Sequence, residues 1–303
     1  MTTRDRPSAP VGNMVVVGTD GSDRGMCAVE WAADEAARRD FTVHIVHTVP
    51  WLYGTPIDPG SGVVPGDVIM RGRAALETAV SAARERAPGL LVESELEAGS
   101  PARVLLERAR TAALVVVGSH GTGLAARLAI GSTALQVVTH APVPAVVVRE
   151  VEDVSWQEIT LGVDGSETEG PAIRFAFEEA ALRKARLHAI HAWPHPGSAG
   201  PGDMRPLVYD PAVLGEEKGR ELGEFLAAWR AEFPDVEVCG EAVHGRPARI
   251  LAGASARSDL LVVGSRGRGG FPGLLLGSVS HAVLYSANCP VAVVRSASRQ
   301  EEP

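Results

Sequence analysis

The sequence predicts an α/β protein with two domains in tandem, each a doubly wound sheet of five parallel strands in the order 3-2-1-4-5. Three observations support this fold class. The length of 303 residues fits two domains of roughly 150 residues each. Valine-rich runs, typical of buried parallel strands, alternate with alanine-rich stretches that favour helices. The second half of the chain also repeats the first.

The repeat defines the domain organisation. VVVGTDGS at 15–22 recurs as ITLGVDGS at 159–166, an offset of 144 residues. Between Gly99–Arg149 and Gly245–Arg295 the offset is 146, and 21 of 51 positions are identical without a gap. We therefore predict a disordered N-terminus at 1–12, a first domain at 13–150 and a second domain at 156–297.

The elements of the first domain follow from its apolar spacing and its turn residues. Val15–Gly18 is a continuous apolar run, which predicts a strand buried on both faces, and the alanine-rich stretch after it predicts a helix. Pro101 suits the first turn of a later helix. In chain order we predict strands at 15–18, 41–49, 90–98, 114–118 and 144–149, and helices at 23–39, 67–87, 101–110 and from the end of a Gly-rich loop to about 140.

Two long connections rich in proline and glycine, at 50–66 and 194–211, each follow a second strand. Structureless connections of that length are uncommon in compact domains. They are either lids over a binding site or surface insertions, and the sequence leaves both interpretations open.

Composition excludes several classes of protein. Lys and Arg number 29 against 37 Asp and Glu, and the net charge of -8 argues against a nucleic-acid-binding surface. No apolar run reaches the roughly 18 residues of a membrane span, and the start, MTTRDRPSAP, lacks the apolar core of a signal peptide. The three cysteines show no metal-ligand spacing. We therefore expect a cytoplasmic protein without a membrane or nucleic-acid partner.

A Gly-rich loop follows the fourth strand in both halves with the spacing G-x2-G-x9-G-S. Glycines at a strand end let backbone N–H groups approach an anion, and the serine begins a helix, where the helix dipole favours phosphate. The alternative is a tight loop with a serine cap. The motif is neither a Walker A loop nor G-x-G-x-x-G. Its positions are Gly118, Gly121, Gly131 and Ser132 in the first half and Gly264, Gly267, Gly277 and Ser278 in the second, with Arg127, Arg266 and Arg268 as nearby cations or solvated surface residues.

An acidic turn, Asp-Gly-Ser, follows the first strand of each half at Asp20 and Asp164. With the strand order 3-2-1-4-5, the winding reverses between the first and fourth strands, where open α/β sheets bind ligands. We therefore expect Asp20 beside Gly118 and Asp164 beside Gly264. An aspartate beside phosphates suits a Mg²⁺ ligand or an acceptor for a ribose hydroxyl. A helix-capping or Asx-turn role is the alternative.

These motifs, with a His-rich apolar second strand, resemble the ATP-binding branch of the universal stress protein family in its tandem, two-domain form. The resemblance covers roughly residues 12–298 and implies two Rossmann-like domains that each bind one ATP. It implies that backbone groups at Val49 and Trp193 hold adenine and that the motif glycines and serines hold ribose and phosphates. Further binding positions that it implies are Gly18, Thr19, Asp20, Val117 and Thr133 in the first half, and Gly162, Val163, Asp164, Val263, Val279 and Ser280 in the second.

The two implied sites differ in sequence. Trp193 stands where a small apolar residue would face adenine, so it either stacks on the base or crowds it. Val163 replaces Thr19, and Val279 replaces Thr133, so each change removes a hydroxyl from the second half. We expect both sites to bind ATP, but unequally.

Three functional hypotheses remain at this stage. The first is an ATP-binding stress-response regulator whose conformation is read by an unidentified protein. The second is a slow ATPase in which Asp20 or Asp164 holds Mg²⁺; no general base lies in register beside both loops, so turnover would be very slow. The third is an assembly module, because the apolar fifth strands need covering. Either a homodimer or pairing of the two halves within one chain would cover them.

Overall fold

The computed structural model describes residues 12–49, 66–119, 130–149, 155–166, 169–193, 211–267 and 275–295. The predicted disordered segment at 1–12 and the two long connections at 50–66 and 194–211 fall, except for their final residues, outside these ranges. Most of both Gly-rich loops also lies outside them.

The first half contains the predicted alternation of strands and helices, with boundaries within two residues of those predicted. Its elements are β1 (Met14–Gly18), α1 (Asp23–Arg39), β2 (Thr42–Val49), α2 (Gly66–Arg86), β3 (Val92–Ala98), α3 (Pro101–Ala109), β4 (Leu114–Gly118), α4 (Ser132–His140) and β5 (Ala145–Val148).

The second half repeats this order. Its elements are β6 (Glu158–Gly162), α5 (Gly170–Arg183), β7 (Arg186–Trp193), α6 (Pro211–Glu232), β8 (Val238–His244), α7 (Pro247–Ala254), β9 (Leu260–Gly264), α8 (Ser278–Ser286) and β10 (Val291–Val294).

The strands form one ten-stranded sheet in the order β3-β2-β1-β4-β5-β10-β9-β6-β7-β8. Each half is parallel and has the predicted order 3-2-1-4-5, which confirms the fold class. The halves join where β5 and β10 pair antiparallel, with Ala292 opposite Val146. This pairing covers the two apolar edge strands within one chain, because each supplies the hydrogen-bonding partner that the other lacks.

Helices cover both faces of the sheet, and alternate strand residues separate the core into two layers. Val15 and Val17 point to the layer that contains α1 and α5, whereas Val16 points to the layer with α3, α4, α7 and α8. All three valines are fully buried, as expected for strands with helices on both sides. Among the helices in the described ranges, none is apolar over enough residues to cross a membrane.

A buried ion network joins α1 to α5 across the junction between the halves. Arg39 donates to Glu35 on its own helix and to Glu179 on α5. Arg183 donates in the same way to Glu179 on its own helix and, at 2.7 Å, to Glu35. Both carboxylates are completely buried, so Glu179 depends on these two guanidinium groups for compensation of its charge, and Glu35 depends on them and on Arg38 at 3.7 Å.

The network follows the sequence repeat, because Glu179 and Arg183 lie 144 residues after Glu35 and Arg39. Two aromatic rings complete it with the same symmetry. The Arg39 guanidinium lies 5.7 Å from the centre of the Phe175 ring, and the Arg183 guanidinium lies 5.6 Å from the centre of the Trp31 ring. Each arginine therefore contacts an aromatic ring and a carboxylate of the other half, as at the interface of a two-fold dimer.

Candidate functional site

The first candidate site lies at the carboxyl ends of β1 and β4, where Gly18 pairs with Val117. Thr19 follows β1 and is buried. Its N–H donates to the carbonyl of Val46 at 3.0 Å, and its Oγ1 accepts the N–H of Gly21 at 3.2 Å. Backbone and side chain together hold the start of the turn in place.

Asp20 organises the turn that leads into α1. Its Oδ1 accepts the Ser22 N–H at 3.0 Å and the Ser22 hydroxyl at 2.5 Å, while Ser22 Oγ accepts the Gly25 N–H at 3.1 Å and caps α1. The aspartate thus has the Asx-turn role that the sequence left open. Asp20 still lies at the carboxyl edge of the sheet. Because a carboxylate can accept more than two hydrogen bonds, the Asx turn does not use all of its acceptor sites.

The ends of the first Gly-rich loop lie next to this turn. A Cβ added to Gly118 would lie 2.9 Å from the backbone oxygen of Arg24, so glycine lets the start of α1 lie against β4. At the far end of the loop, the Gly131 N–H donates to the carbonyl of Ser119 at 2.7 Å. The chain therefore returns to the end of β4 just before α4 begins at Ser132. The exposed Ser132 lies in the first turn of α4, next to the carboxyl edge of the sheet. The N-terminus of a helix in such a position can bind phosphate.

The second Gly-rich loop is closed in the same way. The Gly277 N–H donates to the carbonyl of Ser265 at 2.7 Å, and the buried Ser280 donates its hydroxyl to the carbonyl of Gly264 at 2.6 Å. Ser280 is therefore committed to holding the loop closed. Ser278 begins α8 and is exposed. Gly121, Arg127 and Arg268 lie outside the described residues.

Asp164 lies directly against the second loop. A Cβ added to Gly267 would overlap with Oδ2 of Asp164, so only glycine lets the loop backbone approach the carboxylate this closely. The neighbour predicted from strand order was Gly264. The contact that the structure shows falls three residues later, at Gly267.

Glu169 distinguishes the second turn from the first. Its carboxylate accepts the N–H of Asp164 at 2.5 Å and the N–H of Gly165 at 3.0 Å. Burial, together with the neighbouring carboxyl of Asp164, raises the pKa of Glu169 to about 8. Sequence reasoning missed this residue, although the capping-box spacing Ser166-x-x-Glu169 was a detectable signal.

The ends of β2 and β7 form the outer wall of each site. The carbonyls of Val49 and Trp193 accept the N–H groups of Gly99 and Gly245, both at 2.9 Å. Trp193 is buried, and its ring centre lies 4.5 Å from that of His244. Its Nε1 is buried and makes no hydrogen bond to the residues that the structure describes. The indole therefore packs against His244 at the end of β8 and keeps one buried N–H without a partner among the described residues.

The remaining predicted positions line the strands and helix starts around the two sites. Gly162 and Val263 lie at the ends of β6 and β9, Val163 donates its N–H to Ile190 at 2.9 Å as Thr19 does to Val46, and Thr133 and Val279 are half-buried in the first turns of α4 and α8.

A pocket of about 710 Å³ lies beyond Trp193, at the turn between β8 and α7. His244, Arg246 and Arg249 contribute to its lining, and the sequence did not single them out. In the first half, Arg103 corresponds to Arg249 but pairs with Glu107 at 3.3 Å. At this turn the second half therefore carries Arg246 and Arg249, where the first half carries Ser100 and Arg103.

The described residues contain no group of three or more His, Cys, Asp or Glu side chains that could hold a metal ion. At the second site the carboxyl of Glu169 lies beside Asp164, so the second turn brings together two acidic side chains. A divalent cation at Asp20 or at Asp164 would therefore have to share its coordination with a ligand or with water.

Comparison with known proteins identifies the domains. The model of the universal stress protein family matches residues 13–149 and again residues 155–295. A universal stress protein of Mycolicibacterium smegmatis is 36% identical over 291 residues, covering 93% of this chain and 96% of its own. One of Mycobacterium tuberculosis strain H37Rv is 37% identical over 295 residues, with the same shares covered.

The fold comparison agrees with these matches. The crystal structure of a universal stress protein from Archaeoglobus fulgidus superposes with a TM-score of 0.68 at 17% identity, covering 94% of this chain and 97% of that one. At that identity the similarity supports the fold alone. Together, the two family matches and the relatives along nearly the whole chain show that this protein belongs to the universal stress protein family, with two of the family's domains in tandem.

Proposed function

We propose that this protein binds one ATP in each half, with Mg²⁺, and acts in the cytoplasm as a nucleotide-dependent regulator of a stress response. The observation that carries the proposal is the meeting of turn and loop at the carboxyl edge. A Cβ added to Gly267 would overlap with Oδ2 of Asp164, so the acidic turn and the loop lie against each other. The carboxyl edge of the sheet, at the point where the winding reverses, is where open α/β sheets bind ligands.

The chemistry of this edge of the sheet suits a triphosphate even though the protein is acidic. The hydrogen-bond donors to phosphate would be backbone N–H groups of the Gly-rich loops and of the first turns of α4 and α8, so binding would not depend on basic side chains. Ser132 and Ser278 would add hydroxyl donors to phosphate. Adenine would lie against the ends of β2 and β7, at Val49 and Trp193.

The cation would be held by Asp20 in the first half and Asp164 in the second. Carboxylate oxygens are the ligands that Mg²⁺ prefers, and Mg²⁺ is commonly bound by one or two carboxylates together with phosphates and water. When bound, the ion would offset the repulsion between the aspartate and the phosphates.

The regulator would need no partner chain to cover its fifth strands. Because β5 and β10 already pair with each other, a homodimer would have to use another surface. A protein that reads the bound state would contact the surface near the loops, whose arrangement would change with nucleotide.

The test is to release any nucleotide from purified protein by heat, identify it by mass, and measure thermal unfolding with added ATP and Mg²⁺. We expect stabilisation by about 2.7 kcal/mol when ATP is at 100 times its Kd. The double variant Ser132→Glu/Ser278→Glu should lose both the nucleotide and the stabilisation, because it places a carboxylate at each phosphate position.

The control is Ser81→Glu, which adds the same charge at an exposed position of α2. This variant should keep the nucleotide and the stabilisation by ATP. If wild-type protein carries no nucleotide and millimolar ATP does not shift its unfolding, the proposed function is wrong.

A further inference from the structure

The two proposed sites differ at one position of an otherwise repeated turn. The sequence Asp-Gly-Ser occurs in both, but the residue five positions after the aspartate is Gly25 in the first half and Glu169 in the second. Both residues lie at the start of the helix that follows the turn.

In the second half, the glutamate turns back into the site. Its side chain is nearly completely buried, and its two oxygens accept the N–H groups of Asp164 and Gly165. Asp164 in turn lies against Gly267 of the phosphate loop. The carboxylate of Glu169 is therefore separated from the loop by a single side chain.

In the first half, a side chain at the equivalent position, Gly25, would collide with the turn. A Cβ added to Gly25 would lie 2.8 Å from Oγ1 of Thr19 and 2.9 Å from Oδ1 of Asp20. The space that Glu169 occupies in one half is thus filled by the turn itself in the other. The equivalent donor, the N–H of Gly21, bonds to Thr19, whose hydroxyl is neutral.

We propose that Glu169, by occupying two backbone donors of the second turn, makes the two sites unequal, so that the second site binds ATP more weakly than the first. This inference rests on the proposed function. Glu169 occupies two backbone donors of the turn and adds a second carboxyl next to Asp164. A nucleotide must therefore either break those hydrogen bonds or place its phosphates near two acidic groups.

The expected size follows from the bonds involved. Competition for two net hydrogen bonds corresponds to a roughly 5- to 150-fold difference in Kd. The difference should depend on Glu169 and not on its helix in general.

The experiment measures ATP binding by calorimetry in two backgrounds that each retain one site. Ser278→Glu blocks the second site and Ser132→Glu blocks the first; both place an acid in the first turn of a helix, where it favours folding. We expect a Kd at least about fivefold higher in the Ser132→Glu background. Adding Glu169→Gly there should lower the Kd by the same factor, whereas adding it to Ser278→Glu should change nothing.

Two further variants separate the two hydrogen bonds from helix stability. Glu169→Gln keeps the size of the side chain but leaves only one oxygen acceptor for the two N–H groups, and it should lower the second-site Kd as well. Glu178→Gln, nine residues further along α5, should leave it unchanged. Equal affinities in the two backgrounds, or no response to either Glu169 variant, would overturn this inference alone. Absence of ATP binding in every variant and in the wild type would overturn the proposed function and the inference with it.

Discussion

Replacing Arg39 by methionine should destabilise the protein by about 3–5 kcal/mol at pH 8, the range observed when one partner of a buried ion pair is removed. Methionine keeps most of the apolar stem that packs near Phe175 but removes the guanidinium. Among the described residues, Glu179 would then keep Arg183 as its ion-pair partner, and Glu35 would keep Arg183 and, at 3.7 Å, the more exposed Arg38.

The magnitude follows from burial. The side chains of both glutamates are 0% exposed, and those of Arg39 and Arg183 are only 13% and 8% exposed, so water cannot replace the lost charge. In the intact network, burial raises the pKa of Glu179 to about 7. Burial also acts to raise the pKa of Glu35, but Arg183 and Arg39 outweigh it and lower that pKa to about 2. Loss of Arg39 should raise both pKa values.

The sign of the pH dependence can be worked out from these shifts. A carboxyl group whose pKa is raised on folding stabilises the protein below its unfolded pKa, and this contribution is lost as the pH rises through the folded pKa. The cost of Arg39→Met should therefore be largest at pH 8 and clearly smaller at pH 5.5.

The assay is urea unfolding at both pH values, with free energies obtained by linear extrapolation. The compensated variant Arg39→Met/Glu179→Gln restores neutrality and should recover at least 2 kcal/mol of the loss. Arg71→Met is the exposed control. Arg71 pairs with Asp67 at 2.8 Å, but both side chains are at least 70% exposed, so the change should cost about 0.5 kcal/mol or less. A cost below about 1 kcal/mol for Arg39→Met at pH 8, or no recovery in the double variant, would refute the reasoning.

Three further predictions concern the loops and the cysteines. Gly118→Ala should lower the free energy of unfolding by about 1–3 kcal/mol, and by more than Gly264→Ala does. The added Cβ would lie 2.9 Å from the Arg24 oxygen at position 118 and 3.2 Å from the Arg266 oxygen at position 264. Equal losses of stability in thermal unfolding would contradict this. Ser280→Ala should cost about 1 kcal/mol because it removes the hydrogen bond to Gly264, whereas alanine at the exposed Ser278 should cost less, and urea unfolding of both variants measures the difference. Burial raises the pKa of Cys289 to about 12. A thiol reagent at pH 8 should therefore modify the exposed Cys239 in native protein, and Cys289 only after unfolding. Labelling of Cys289 in native protein, detected by peptide mass, would show that this prediction is wrong.

The strand order and most element boundaries could be predicted because their determinants are local. Val15–Gly18 and Leu114–Gly118 are continuous apolar runs, and such runs form strands only where both faces are covered. Right-handed crossovers then leave few possible topologies. The repeat made each assignment in one half a check on the other.

The candidate site was predictable as a position but not as a set of contacts. Strand order placed the acidic turns near the glycine loops, and the structure brings Asp164 to Gly267. Glu169 reaches the same turn because α5 begins with its side chain directed back over the chain, and sequence spacing alone does not specify that rotamer. The sequence could state which groups lie at the edge of the sheet, but not which of them hydrogen-bond to one another.

By itself, the sequence determined that this chain is two copies of one α/β domain, with glycine loops and acidic turns at equivalent places. Only the tertiary structure decided how the copies meet. Glu35 with Arg39, and Glu179 with Arg183, have the four-residue spacing of ordinary exposed helix pairs. They are buried because the antiparallel pairing of β5 with β10 brings α1 against α5. The ion pairs across that contact join residues 148 and 140 positions apart, and local sequence patterns carry no information about such distant partners.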